Sequence, residues 1–245
     1  MNSSDWQAAT RVLADSPLFK ELQPCVLQSL LARLKPERWS RRSSVLSPRQ
    51  KVDRFYLLVK GRVKITRQNL NTAREITLFL LGPGSAFGLM TLADGLFGSV
   101  CAETLDDVLA LSGPAELWEG WLATYPTLRQ ATRAYVTGHV SRLAELASDL
   151  ALHDTRTRLA RLILRNLGMP TESLDAEGAL IRDLPHEELG CMIGSVRVVV
   201  NRLLAELKRE GVIDTRAGEL QVLDYEKLMQ IAEWDRCGSV SVGAD

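Results

Sequence analysis

Residues 184–207, LPHEELGCMIGSVRVVVNRLLAEL, decide how the chain is read. Pro185 suits the first turn of a helix whose buried edge is formed by Leu189, Met192 and Ile193. Gly194 is placed to turn the chain, and Ser195 to cap the helix that follows. In that second helix Val200, Leu203, Leu204 and Leu207 stand three, four and seven residues on from the first, which makes one buried face. The opposite face then presents Arg197, Val198, Asn201 and Arg202. Two short helices joined by a glycine turn, with two arginines at the exposed front of the second, predict a helix-turn-helix. Beyond it, Gly211, Val212 and Ile213 lead into residues 215–222, which read as a two-stranded wing.

The chemistry of that surface suits DNA. A helix fits the major groove, and an arginine near its N-terminus donates two hydrogen bonds to guanine O6 and N7. The amides at the helix start can meet a phosphate. The candidate DNA contacts are therefore Ser195, Arg197, Val198, Asn201 and Arg202. Arg197 and Arg202 are assigned to guanine, with Val198 and Asn201 setting the neighbouring bases. His186, on the preceding helix, is assigned to a phosphate. A surface helix pair with solvated arginines explains any one of these residues, but not the turn, helix and wing together.

Upstream the pattern differs. Residues 6–13 and 22–34 have helical spacing, the second through Leu22, Val26, Leu27, Leu30, Leu31 and Leu34. From residue 39 to about 111 the chain reads as short strands. Residues 55–59 are continuously apolar, Val63 and Ile65 alternate with Arg62 and Lys64, and residues 75–81 and 108–111 are further strands. Residues 69–72 and Gly82-Pro83-Gly84 are turns. Strands at short intervals punctuated by Gly, Pro and Asn indicate an all-β barrel or jelly roll. Residues 126–152 then form a long helix, with Pro126 in its first turn. Val136, Val140, Leu143, Ala147 and Leu150 are spaced four, three, four and three, a heptad seam that suits a second copy of the helix. At 1.5 Å per residue the helix is about 40 Å long and outreaches a small barrel, although packing of the strip on its own barrel is the alternative. His153, Asp154 and Thr155 break the pattern, and Asp154 can cap a helix over residues 156–167. The expected organisation is thus α+β: a barrel with N-terminal helices over 1–125, a dimerisation helix over 126–153 and a winged helix-turn-helix over 154–245.

Composition sets bounds on this reading. The chain has 245 residues, 46% of them hydrophobic, with 30 Lys+Arg against 30 Asp+Glu. No apolar run approaches the roughly 18–20 residues of a membrane helix, and the first residues lack a signal-peptide pattern. The expectation is a cytoplasmic protein with no membrane partner. Cys25, Cys101, Cys191 and Cys237 are too scattered for a zinc or iron–sulfur spacing and read as reduced, small apolar residues. No Walker loop, dinucleotide fingerprint, Ser/His/Asp pattern or metal cluster appears, and three histidines leave few general bases, so an enzyme is not expected. Zero net charge argues weakly against a nucleic-acid-coating protein. Placement matters more: residues 155–216 hold ten Lys+Arg and nine Asp+Glu, with the acids mostly at 172–177, 183 and 187–188, away from Arg197 and Arg202. This predicts weak non-specific affinity and a modest salt dependence.

Residues 55–61 (FYLLVKG), 81–88 and 184–202 resemble the CRP/FNR family of bacterial transcription regulators, and the likeness runs over about residues 15–225. It implies a cyclic-nucleotide-binding-type β-barrel, a long dimer helix and a winged helix-turn-helix. It also implies a homodimer that binds double-stranded DNA at a two-fold symmetric operator and contacts RNA polymerase. Two departures stand out. Val198 occupies a position where the family often has Glu, and offers only methyl contact, for instance to thymine. Val199 occupies one where it often has Thr and cannot hydrogen-bond. The resulting Arg197–Arg202 pattern is similar to the nitrogen-control branch.

The resemblance also frames the effector. Family members that bind cyclic AMP carry a Gly-Glu-Leu turn and an Arg-Ser or Arg-Thr pair. Here Leu89 holds the Glu position, and no Arg lies between Arg74 and Arg129. A cyclic phosphate buried without a cation is costly, so cyclic AMP is not expected. An iron–sulfur cluster of the FNR type needs grouped cysteines, and Cys25 stands alone. Leu89, Met90, Leu92, Leu96 and Phe97 form an apolar lining that suits a hydrophobic effector, heme or a filled barrel. The heme alternative, a gas-sensing regulator, would use Met90 with help from His139 or Cys101; otherwise Met90 fills the core and His139 is solvated. A regulatory module serving a partner protein is the remaining alternative.

Overall fold

The computed structural model describes residues 3–47, 53–69, 71–72, 74–89, 100–167, 180–181, 183–216 and 219–233. The chain divides into two compact units, Met1–Ala147 and Ser148–Asp245.

The first unit opens with α1 (Ser3–Ala14) and α2 (Pro24–Leu31). The second helix is shorter than its apolar spacing predicts. Pro24 fixes its first turn, Leu22 is held in the preceding turn by a bond from its N–H to the Phe19 carbonyl, and residues 32–34 turn into the first strand. Eight strands follow: β1 (Lys35–Trp39), β2 (Ser44–Leu46), β3 (Arg54–Lys60), β4 (Val63–Gln68), β5 (Glu75–Leu81), β6 (Ala86–Phe87), β7 (Val100–Thr104) and β8 (Val108–Pro114). They form two antiparallel four-stranded sheets, ordered β1-β8-β3-β6 and β2-β7-β4-β5.

The unbroken apolar run of β3 has a physical explanation, since both of its faces are covered. Tyr56 and Leu58 join Val63, Ile65, Phe79 and Leu81 in the barrel interior. Phe55, Leu57 and Val59 face the other way, into a core built with α1, α2 and the helix α3 (Ala115–Thr124). Helix α3, not foreseen from sequence, seats Trp118 and Trp121 against Phe55 with ring centroids 4.8 and 5.6 Å away. Strand β4 departs from simple alternation: Lys64 is only 7% exposed, and its ammonium lies 3.2 Å from Glu75 and 3.7 Å from Glu103. The two carboxylates let a cation sit where the pattern predicts solvent.

Next comes α4 (Pro126–Leu152), with the predicted bounds. In the second unit, α5 (Thr155–Leu167) starts at the Asp154 cap, whose carboxylate accepts from the Thr157 N–H at 2.8 Å. Then follow α6 (His186–Met192), α7 (Arg197–Arg209), the hairpin β9 (Ile213–Arg216) and β10 (Glu219–Val222), and α8 (Tyr225–Ile231). The end of α4 is tied into this unit by Asp149, 5% exposed, which meets Arg161 Nε at 2.8 Å and Arg165 Nη1 at 2.6 Å.

Candidate nucleic-acid interface and barrel cavity

Helices α6 and α7 are joined by a turn in which Gly194 adopts a φ of +64°, the left-handed region that glycine tolerates. A Cβ there would also lie 2.7 Å from Leu150 Cδ2. Leu189 and Ile193 of the first helix are buried, Met192 only partly, and Val200, Leu203, Leu204 and Leu207 of the second are buried as the spacing requires. Two local details differ from expectation. Pro185 precedes α6 as its N-cap. Val196, not Ser195, is the N-cap of α7, and the Ser195 N–H donates to the Gly190 carbonyl at 2.8 Å within the turn.

All four predicted front residues of α7, Arg197, Val198, Asn201 and Arg202, are exposed. Val198 leaves 76% of its surface in water, unusual for an aliphatic side chain and suited to methyl contact in a groove. Arg202 is 3.8 Å from Glu206, one turn on, a pairing that is weak at this exposure. Ser195 is half-buried in the turn. His186 does not point away by itself: its Nδ1 hydrogen-bonds Asn201 Oδ1 across the two helices. His186, Arg197, Asn201, Lys208 and Thr215 line an open groove of about 400 Å³ beside the wing. Lys208 and Thr215 were not singled out by sequence, though Lys208 follows Asn201 by two turns on the same face.

In the first unit a cavity of about 40 Å³ lies between the barrel interior and α4. Ile65, Phe79, Leu81, Leu89, Tyr135 and His139 are among its walls. Of the predicted effector residues, Leu89 and His139 share this cavity; Met90, Leu92, Leu96 and Phe97 lie outside the described residues. His139 is not solvated but 5% exposed, its ring 4.7 Å from that of Phe79. Its Nδ1 donates to the Tyr135 carbonyl at 2.9 Å, which fixes the ring's orientation. Tyr135, missed by sequence reading although it lies one turn before His139, spans helix and sheet. Its hydroxyl donates to the Ala86 carbonyl at 3.0 Å and accepts the Ala86 N–H at 2.9 Å. Gly88 follows β6 with a φ of +88°, and a Cβ there would be 2.4 Å from the Arg54 carbonyl oxygen. The described part of the cavity has room for a water molecule or two. Burial raises the Cys101 thiol above its usual range, which makes it a poor nucleophile.

The seam residues of α4 divide. Val140 is 55% exposed and Ala147 exposed, with Val136 partly so, whereas Leu143 packs on the barrel core and Leu150 against the Gly194 turn.

Residues 157–231 match the Crp-like helix-turn-helix domain and residues 36–125 the cyclic nucleotide-binding domain. The global nitrogen regulator of Nostoc sp. is 30% identical over 192 residues, 76% of this chain and 84% of that protein. The chain belongs to the CRP/FNR family of transcription regulators. Another CRP/FNR relative, the CRP-like cAMP-activated global transcriptional regulator of Mycobacterium tuberculosis, is 26% identical over 224 residues, 90% of this chain and 98% of that protein. Among solved structures, FixK2 from Bradyrhizobium japonicum superposes with a TM-score of 0.69 at 16% identity, over 81% of this chain and 96% of that one, a likeness of fold. The barrel is therefore the effector-binding domain of a CRP/FNR regulator, and α6, α7 and the hairpin its winged helix-turn-helix. No helix among the described residues is long and apolar enough to cross a membrane.

Proposed function

We propose that this CRP/FNR regulator acts as a cytoplasmic homodimer that reads a two-fold symmetric DNA operator through α7, contacts RNA polymerase, and is controlled by an effector other than a cyclic nucleotide. The observation that carries the DNA reading is the exposure of Arg197, Val198, Asn201 and Arg202 along one face of α7, against a fully buried opposite face. Arg197 and Arg202 would supply the guanine contacts and Val198 a thymine methyl contact. Dimerisation is supported by the outward Val140 and Ala147, which a second α4 would cover. Two recognition helices would then meet half-sites about 34 Å apart.

The effector reading rests on the cavity beside His139 and on residues 75–128, which contain neither Lys nor Arg to neutralise a cyclic phosphate. The ligand would be largely apolar. Its entry would enlarge the small cavity and displace Tyr135 and His139, and through them α4. It shifts the DNA-binding state only by its difference in affinity for the two arrangements. The test of DNA reading is selection of sites from random duplex DNA, followed by Arg197→Ala. The variant should lose about 1–3 kcal/mol on the selected site and little on random DNA. Equal losses on both would remove the base-reading role.

A further inference from the structure

His186 stands on α6 and Asn201 on α7, fifteen positions apart in sequence, yet they meet by a hydrogen bond between imidazole Nδ1 and amide Oδ1. An amide oxygen only accepts, so Nδ1 carries the proton in this contact, whether the ring is neutral or charged. The consequence falls on Asn201. A free asparagine reads adenine by presenting oxygen and nitrogen together, accepting from N6 and donating to N7. Here the oxygen is turned sideways toward α6, and the NH2 group occupies the opposite branch of the planar amide. With that oxygen aimed at α6, the group left for a base edge is the NH2 donor, which meets two acceptors on guanine (O6 and N7), one on thymine (O4) and, on adenine, N7 crowded by the competing N6 amino donors. Arg197 and Lys208, lining the same groove, add donors and no acceptor.

We infer that His186 is a positioning residue for base recognition: by holding Oδ1 of Asn201 it converts the amide into a donor that selects the keto bases, guanine and thymine, and discriminates against adenine. This replaces the phosphate contact that sequence reading assigns to His186, and it rests on the DNA-reading role proposed above.

The experiment is site selection from randomised duplex DNA with the full-length chain at micromolar concentration and low salt, comparing wild type, Asn201→Ala, His186→Ala and His186→Gln. Asn201→Ala identifies the base position that Asn201 reads, by loss of preference there alone. At that position wild type should favour guanine or thymine over adenine about tenfold. His186→Ala should bring adenine to within about threefold of the keto bases, because the amide can then rotate to its bidentate pose. Positions read by the arginines, and the salt dependence of binding, should not change. His186→Gln, whose amide can still donate to Oδ1, should restore the preference, and it decides alone if His186→Ala lowers the melting temperature. A wild-type preference for adenine at this position would overturn the inference, as would an unaltered profile in His186→Ala. So would a salt slope reduced by about one, the mark of a lost phosphate contact. A wild-type chain that selects no motif would instead sink the DNA-reading role itself, and this inference with it.

Discussion

Asp149→Ala should loosen the C-terminal unit by about 2–3 kcal/mol. The buried carboxylate is the shared partner of Arg161 and Arg165, at 2.8 and 2.6 Å. Removing one member of a buried ion pair costs about 3–5 kcal/mol when the other charge is stranded. Here the stranding is partial: the two arginine side chains keep 20% and 25% of their surface in water, and Arg161 retains a bond to the Ala232 carbonyl at 3.1 Å. That places the loss below the full range. Tryptophan fluorescence is a poor probe, because four of the five tryptophans, Trp6, Trp39, Trp118 and Trp121, belong to the N-terminal unit. Amide hydrogen exchange of the full chain reads the right elements. Peptides from α5 and α7 should exchange about 30- to 150-fold faster, the rate equivalent of 2–3 kcal/mol, while peptides from β3 and β8 keep their protection. Asp149→Asn, which keeps one acceptor oxygen, should recover about half of the loss. Acceleration below about threefold in α5 and α7 would show that the arginines find water at no cost, and would refute the reasoning.

Val140→Glu introduces a charge on the outward side of α4; sedimentation should show a monomer where wild type is a dimer, with unchanged circular dichroism. A wild-type chain that sediments as a monomer would end the seam assignment. Asp154→Ala removes the α5 cap and should cost about 1 kcal/mol at neutral pH. The Thr157 N–H holds the Asp154 carboxyl below its ordinary range, so its stabilisation is complete above about pH 4 and fades as pH falls through the lowered value. Urea titrations of the two proteins should accordingly converge in acid and diverge toward neutrality. Gly88→Ala sets a Cβ 2.4 Å from a backbone oxygen at a positive φ, and thermal melting of the N-terminal unit should drop by several degrees, whereas a wild-type melt would show that this turn relaxes freely.

The pattern of apolar positions carried most of the architecture. The bounds of α4 followed from the unbroken run between Pro126 and the break at His153, and the buried face of α7 from period alone, because α7 packs one stripe. The winged helix-turn-helix was legible because glycine, cap and stripe agree locally. What escaped depends on contacts between distant residues. Lys64 looked like a solvent position because its two carboxylates come from strands β5 and β7. Helix α3 was missed because Gly120 interrupts a short segment whose two tryptophans pack edge-on and tilted against the distant Phe55. The same limit hid the site's fine structure: a histidine and an asparagine at separate points on two helices carry no sign of touching until the crossing of those helices is known. Tyr135 was equally silent, since nothing in a helical stripe says that one hydroxyl reaches a strand's backbone.

That hydroxyl has a further consequence for the edge of the sheet it reaches. Among the described strands β6 lies at the border of its sheet, a position where N–H and C=O groups invite pairing with a foreign strand. Tyr135 engages both backbone groups of Ala86, so an incoming strand finds a phenol already seated there. The long helix thus guards this border against edge-to-edge assembly.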